Sequence, residues 1–261
     1  MSAESALVEA VRDALAGAGD PDRARRQQAY MKSAMPYRGL SAPELRTLLR
    51  PVLAGHRLGD PDTWRATARE LWDGATHREE WYATIALLRH RYYAAWVDPD
   101  LLPLLHHLIE TGAWWDVVDE VASHLVGGVL AGHRAAATPV VRRWASAEDS
   151  MWLRRTAVLA QLRHRGDTDT VLLVDAIGAN LEGTTYGSEF FVRKAIGWAL
   201  REHSRTDADW VRAYVAAHAE RLSPLSRREA LRLVDRRGGG PAGPQVGPED
   251  QTGTSSTAPT A

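Results

Sequence analysis

The sequence predicts an all-α helical-repeat solenoid, and three observations carry that expectation. Apolar residues recur at three- and four-residue spacing through nearly every segment, as in Leu7, Ala10, Val11 and Leu15 or Leu45, Leu48, Leu49 and Val52. No run alternates with period two for long enough to make a strand. Trp72, Trp115, Arg155 and Trp198 fall 43, 40 and 43 residues apart, a spacing that suits stacked helical pairs. Helix starts and stops then follow in chain order. Ser41-Ala-Pro-Glu44 reads as a capping box with Pro just inside the helix. Asp60-Pro61-Asp62 and Asp98-Pro99-Asp100 open two more helices, and Gly55, Gly74, Gly112 and Gly132 read as stops. About a dozen helices joined by short turns are expected, and stacked pairs of this kind build a concave inner surface suited to gripping another macromolecule.

Composition sets limits on function. The 261 residues contain no Cys, which removes disulfides, thiolate zinc sites, CxxC redox chemistry and a Cys nucleophile. Ten His are scattered without HExxH or paired metal-ligand spacing, and GxGxxG, Walker A and GxSxG sequences are missing, so no metal or cofactor is expected. The N-terminus lacks a basic stretch followed by a continuous apolar one, and no run nears the roughly 18 apolar residues of a membrane span. A cytoplasmic protein without a membrane partner is therefore expected. From Gly238 to Ala261, 16 of 24 residues are Gly, Pro, Ser or Thr, which reads as a disordered tail (238–261) behind one folded domain (1–237). Lysine plus arginine number 32 against 33 acids, a net charge of −1 that taken alone argues against nucleic acid.

Some residues break their local pattern. In the helix after Gly112 the apolar stripe is Trp114, Val117, Val118, Val121 and Leu125, leaving Trp115 off it beside Asp116, Asp119 and Glu120. Asp119 is four residues after Trp115, hence its neighbour on one helix face. Two readings stand: a half-exposed Trp beside a solvated acid, or an aromatic platform beside a carboxylate, suited to a nucleobase and a developing positive charge. Arg155 has Trp152, Val158 and Leu159 on its face, so it needs a specific anion there. That anion is either a ligand or an acid of the neighbouring helix, Asp119 itself included. Trp198 lies between Lys194 and Arg201 on a basic face, which is either a stacking and phosphate-contact surface or a core Trp with snorkelling neighbours. Arg227 and Arg228 belong to a segment, Arg221 to Arg237, where six Arg oppose only Glu229 and Asp235.

These residues sit in six collinear blocks. They are Tyr30-Met31-Lys32; Leu71-Trp72-Asp73; Trp114-Trp115-Asp116-Val-Val-Asp119; Trp152-Leu153-Arg154-Arg155; Phe190-Phe191-Val-Arg-Lys194-Ala-Ile-Gly-Trp198-Ala-Leu-Arg201-Glu202; and Leu222-Ser223-Pro224-Leu225-Ser226-Arg227-Arg228-Glu229-Ala230. Together they resemble the AlkD-type DNA alkylation repair family of HEAT-like-repeat DNA glycosylases, over roughly residues 5–236. The resemblance implies a monomer acting on double-stranded DNA, in a prokaryote at the nucleoid. It implies release of cationic alkylpurines, N7-alkylguanine and N3-alkyladenine, by cleavage of the N-glycosidic bond without drawing the base into a pocket. Carried over, Asp119 is the catalytic carboxylate, Trp115 and Trp198 pack against the lesion nucleotide, and Arg155 holds the DNA backbone near it. Tyr30 lies close to the damaged pair. Lys32, Arg154, Lys194, Arg201, Arg227 and Arg228 are candidate phosphate contacts.

The chemistry agrees with the residue inventory. An alkylated purine already carries a positive charge and leaves without a general acid, so one carboxylate that stabilises the oxocarbenium-like sugar and positions water is enough. A lyase would need an amine nucleophile. Only Lys32 and Lys194 are lysines and neither matches one, so a monofunctional hydrolase is expected. Three stretches depart from the family pattern: Gly183 to Ser188 is longer, Ser41 replaces a larger polar residue, and the Gly/Pro-rich tail has no counterpart. The rival readings are a non-catalytic relative that binds distorted or branched DNA and a protein-interaction scaffold. For the DNA readings, the total charge has to hide a segregation of bases to the inner surface.

Overall fold

The computed structural model describes residues 2–235, among which stand fourteen α-helices and no strand. The expected tail, 238–261, lies outside the described residues. In chain order the helices are α1 (Ser5–Ala16), α2 (Pro21–Met31), α3 (Ala42–Gly55), α4 (Pro61–Asp73), α5 (Arg78–Leu88), α6 (Leu102–Gly112) and α7 (Trp115–Glu120). Then follow α8 (Gly127–Gly132), α9 (Arg134–Ala145), α10 (Met151–Leu159), α11 (Thr170–Gly178), α12 (Phe190–His203), α13 (Ala208–Ala217) and α14 (Pro224–Leu231). The caps expected at Ser41 and Asp60 form: Ser41 accepts from the Glu44 amide while Glu44 reaches back to the Ser41 amide, and Asp60 accepts from Thr63. Asp98 caps a short 3₁₀ turn (Pro99–Leu101) that leads into α6. Gly74 caps α4, whereas Gly55, Gly112 and Gly132 are the last residues of their helices.

Packing arranges the helices in two rows. One row runs α5, α7, α10, α12 and α14, each touching the next, and the other is built from α4, α6, α9 and α11. Cross-row pairs such as α4 with α5, α6 with α7 and α9 with α10 close the units over a continuous buried core. This is the helical-repeat arrangement expected from the sequence. The rhythm is uneven at its start, because Trp72 lies on α4 in the second row, buried and stacked on Trp81 at 4.4 Å. Trp115, Arg155 and Trp198 all belong to the first row, on α7, α10 and α12.

Two local features position that row. Between α7 and α8 the helix continues through a π turn, Val121–Val126. The buried pairs Val117/Val118, Val121/Ala122, Leu125/Val126 and Val129/Leu130 repeat every four residues. On a 3.6-residue helix such pairs drift by about 40° per repeat. The wider π turn takes up this drift and keeps all four pairs on the core side. Further along, α12 and α14 approach so closely that a Cβ on Gly197 would lie 3.1 Å from the Ser226 carbonyl oxygen.

The turn between α2 and α3 is fixed from outside. Glu79, buried on α5, accepts the backbone N–H groups of Arg38, Gly39 and Leu40 at 2.9, 2.9 and 3.2 Å. Three converging amides stabilise one carboxylate there without an opposing cation. Gly39 adopts φ +85°, and a Cβ would strike the Asp20 carbonyl and come within 2.8 Å of the Ala24 nitrogen. Gly39→Ala therefore combines left-handed strain with a backbone clash, and it should cost about 2 kcal/mol and lower Tm by about 4–8 °C. A melting curve superimposable on the wild type would show that the turn is not held in this form.

Candidate active site

α7 is six residues long, and Trp114, its N-cap, makes no side-chain capping bond. Val117 and Val118 bury the core side of this short helix, which leaves Trp115, Asp116 and Asp119 half-buried on the other. Each aspartate is then held by an arginine from a different neighbour in the row. Arg155 of α10 donates from Nε and Nη2 to the two Asp119 oxygens at 2.7 and 2.8 Å. Its third nitrogen, Nη1, donates to the Phe191 carbonyl at the start of α12. Arg78 of α5 donates from Nε and Nη2 to Asp116 at 3.2 and 2.6 Å, and the Tyr82 hydroxyl donates to the same carboxylate.

The Asp119 side chain keeps 20% of its surface while Arg155 keeps 1%. Burial pushes the Asp119 carboxyl above the ordinary aspartate value, Arg155 opposes that push, and the charges of Asp116 and Glu120 add to it. Above Arg155 stands Trp198, with its ring centroid 5.5 Å from the guanidinium carbon. Lys194 and Arg201 flank the same ring at 5.9 and 5.8 Å, geometry in which a cation is attracted to an aromatic face. Both cations also pair with Glu229 of α14 at 2.6 and 2.7 Å, and the Lys194 bond in particular lowers the Glu229 pKa.

Of the residues expected at a site, Asp119, Arg155 and Trp198 are thus in one cluster, with Trp115 on the Asp119 face of α7. Trp115 also lines a groove of about 830 Å³ that Tyr30, 76% exposed at the end of α2, lines with it. Lys32, exposed, ends that helix in a left-handed conformation, and Arg227 and Arg228 lie on α14 beyond α12. Two of the expected DNA contacts are buried in this conformation. Arg155 is the partner of Asp119, one of the two anions the sequence allows. Arg154 donates to the carbonyls of Ala147 and Ala179 at 2.6 and 2.9 Å.

Sequence reasoning missed Arg78 and Tyr82, because one chain gives no sign of which distant helix supplies a partner. It also missed the rim of the groove. Arg46 and Arg50 of α3 and Arg91 line it, and they stand outside the ion pairs formed among the described residues. No group of three or more His, Cys, Asp or Glu able to hold a metal occurs among the described residues, and no helix among them is long and apolar enough to cross a membrane.

The model of the family described as DNA alkylation repair enzyme matches residues 11–234. The chain belongs to that family. Its shared role is repair of alkylated DNA, and its members are enzymes by description. Among solved structures the chain is similar to a predicted DNA alkylation repair enzyme from Enterococcus faecalis. The two share 27% identity over 82% of this chain and 95% of that one, with a TM-score of 0.67. No curated protein matches it. The match of this alkylation repair chain spans all fourteen helices except part of α1.

Removing one partner of a buried ion pair leaves the other charge desolvated and alone, at a cost of about 3–5 kcal/mol. Arg155→Ala should destabilise this repair protein by that amount in urea unfolding. An unchanged midpoint would mean that the pair does not tie α7 to α10.

Proposed function

We propose that the chain is a monofunctional DNA glycosylase. In this reading it hydrolyses the N-glycosidic bond of cationic alkylpurines, N7-alkylguanine and N3-alkyladenine, in duplex DNA. The observation that carries the reading is a single half-open carboxylate, Asp119, fixed by bidentate bonds to Arg155 and flanked by Trp115 and Trp198.

A cationic base departs as a neutral purine, so the protein has to stabilise the sugar rather than protonate the base. The open edge of Asp119 supplies a negative charge for the oxocarbenium-like sugar and an acceptor for the attacking water. Arg155 favours the ionised carboxylate and fixes the direction of its oxygens. The faces of Trp115 and Trp198 suit a positively charged nucleotide. In this reading the lesion stays stacked in the duplex and meets the half-buried faces of Trp115 and Trp198 there. The charge pattern supports DNA as the partner: Lys32, Arg46, Arg50, Arg91, Arg227 and Arg228 stand outside the ion pairs formed among the described residues. In contrast, most arginines of the second row are matched locally, as in Arg65 with Asp62, Arg69 with Asp73 and Arg142 with Asp175, with Arg143 outside such pairs among the described residues. A monomer acting in the cytoplasm, at the nucleoid in a prokaryote, completes the proposal.

Release of 7-methylguanine and 3-methyladenine from methylated duplex DNA tests it. Asp119→Asn should lower the single-turnover rate by about 10²–10³-fold while DNA affinity persists. Protonation removes the charge that the sugar needs, so the wild-type rate should fall as pH drops through the raised Asp119 pKa. The acid limb then sits above the ordinary aspartate value of about 3.9 and disappears in Asp119→Asn. A wild type that liberates neither base, or a full rate in Asp119→Asn, would sink the reading.

A further inference from the structure

We propose that Asp116, with Arg78 and Tyr82 of α5, is the positioning device of this site. It fixes the first turn of α7 from the side opposite Arg155, and so sets where Trp115 and Asp119 stand relative to the N-terminal arm. The inference rests on the glycosylase reading for its kinetic consequence, but not for its structural one.

The helix that α7 opens starts without a capping side chain, so its first amides, at Trp115 and Asp116, find no partner in their own turn and that turn depends on neighbouring elements to be fixed. Asp116 lies in that turn. Its carboxylate, 11% exposed, takes two guanidinium bonds from Arg78 and one hydroxyl bond from Tyr82. From Tyr82 the network continues to the Tyr37 hydroxyl at 3.1 Å. Tyr37 is buried in the turn after α2, and its successors Arg38, Gly39 and Leu40 are the residues whose amides Glu79 holds. Side chains near the start of α5, Arg78, Glu79 and Tyr82, therefore link the arm that bears Tyr30 and Lys32 to the residue beside Trp115. The groove lined by Tyr30 and Trp115 lies over this network, which lines it through Tyr37, Tyr82 and Asp116.

Asp116 also stands three residues before Asp119, close enough for one charge to act on the other. The charged groups around Asp119 are few. Arg155 comes from α10, Asp116 and Glu120 from its own helix, and Arg78 and Tyr82 of α5 reach it only through Asp116. Arg89 of α5 and His124 of the π turn are engaged with Glu120. On α12, Arg155 meets the Phe191 carbonyl, and Lys194 and Arg201 lie across the Trp198 ring, held by Glu229. α6 turns its titratable groups elsewhere: Glu110 accepts from Ser150, His107 pairs with Asp73, and His106 packs on Trp144. Removing the Asp116 charge while keeping Arg78 should therefore ease ionisation of Asp119, which a merely structural contact would not do.

Two variants of the full chain test this. In a ¹³C carboxyl NMR titration, Asp116→Asn should move the Asp119 midpoint down by about half a pH unit or more. The acid limb of the base-release rate should follow it. Tyr82→Phe keeps every charge and cuts the path to Tyr37. It should leave the midpoint in place and lower kcat by about tenfold, less than the roughly hundredfold of a 1 Å misplacement, with KM for lesion DNA unchanged. An Asp119 midpoint that does not respond to Asp116→Asn overturns the proposal. So does Tyr82→Phe with wild-type kcat, which remains decisive if Asp116→Asn fails to fold. If the wild type releases no base, the glycosylase reading falls, and the titration alone still decides whether Asp116 acts on Asp119.

Discussion

The buried ion pair between Asp119 and Arg155 constrains everything around it. A guanidinium stays charged at any pH a protein meets, and stripping it of water costs several kcal/mol unless an anion stands in its place. At 1% exposure Arg155 is deeply stripped, so α10 can bury it only where α7 presents a carboxylate. The fork geometry then dictates the direction of both Asp119 oxygens. With its remaining nitrogen on the Phe191 carbonyl, the same side chain joins three successive helices of one row, α7, α10 and α12. Because Arg155 also lies under Trp198, the aromatic face on α12 is referenced to the carboxylate on α7. Rigid-body drift between repeat units is thereby blocked at the one place where a site needs fixed distances.

A helical repeat separates these tasks from stability in general. Each unit contacts mainly its neighbours, so a site shared by three units has to be tied by long side chains rather than by one element. Arginine suits this work, which gives a physical context for 30 arginines against two lysines. The same architecture explains why net charge misleads. Local ion pairs neutralise most arginines of the second row while Arg46, Arg50 and Arg91 around the groove stay unmatched among the described residues, so a total of −1 coexists with a basic patch.

Legibility in the sequence followed the range of the interaction. Caps at Ser41 and Asp60 and the helical periodicity depend on residues within one turn, and they were readable. Adjacent Arg154 and Arg155 were not separable. Both are buried, but one meets the carbonyls of Ala147, just before its own helix, and Ala179, at the end of the next, while the other meets Asp119. Only the apolar face of Arg155 hinted at an anion, and Asp119 was already among the candidates. The π turn did leave a trace, the strict four-residue period of the pairs from Val117/Val118 to Val129/Leu130, which an α-helix cannot keep on one side. Arg78 and Tyr82 left none, since a charged first turn on α5 looks the same whether it faces solvent or Asp116.

The second carboxylate narrows what chemistry the proposed site can support. Asp116 stands beside Asp119 as a glycosidase's acid stands beside its nucleophile, so two acids on one face could suggest acid catalysis of base departure. Its partners argue otherwise. A carboxylate that accepts two guanidinium N–H bonds and a tyrosine hydroxyl has its oxygens turned to those donors rather than to a departing base. Asp119, facing Arg155, is likewise better suited to charge than to proton donation. Under the proposed reading neither group protonates the purine, and departure relies on charge the base already carries. Selectivity for cationic lesions would then require no pocket that recognises the alkyl group, because undamaged bases fail at bond cleavage rather than at binding.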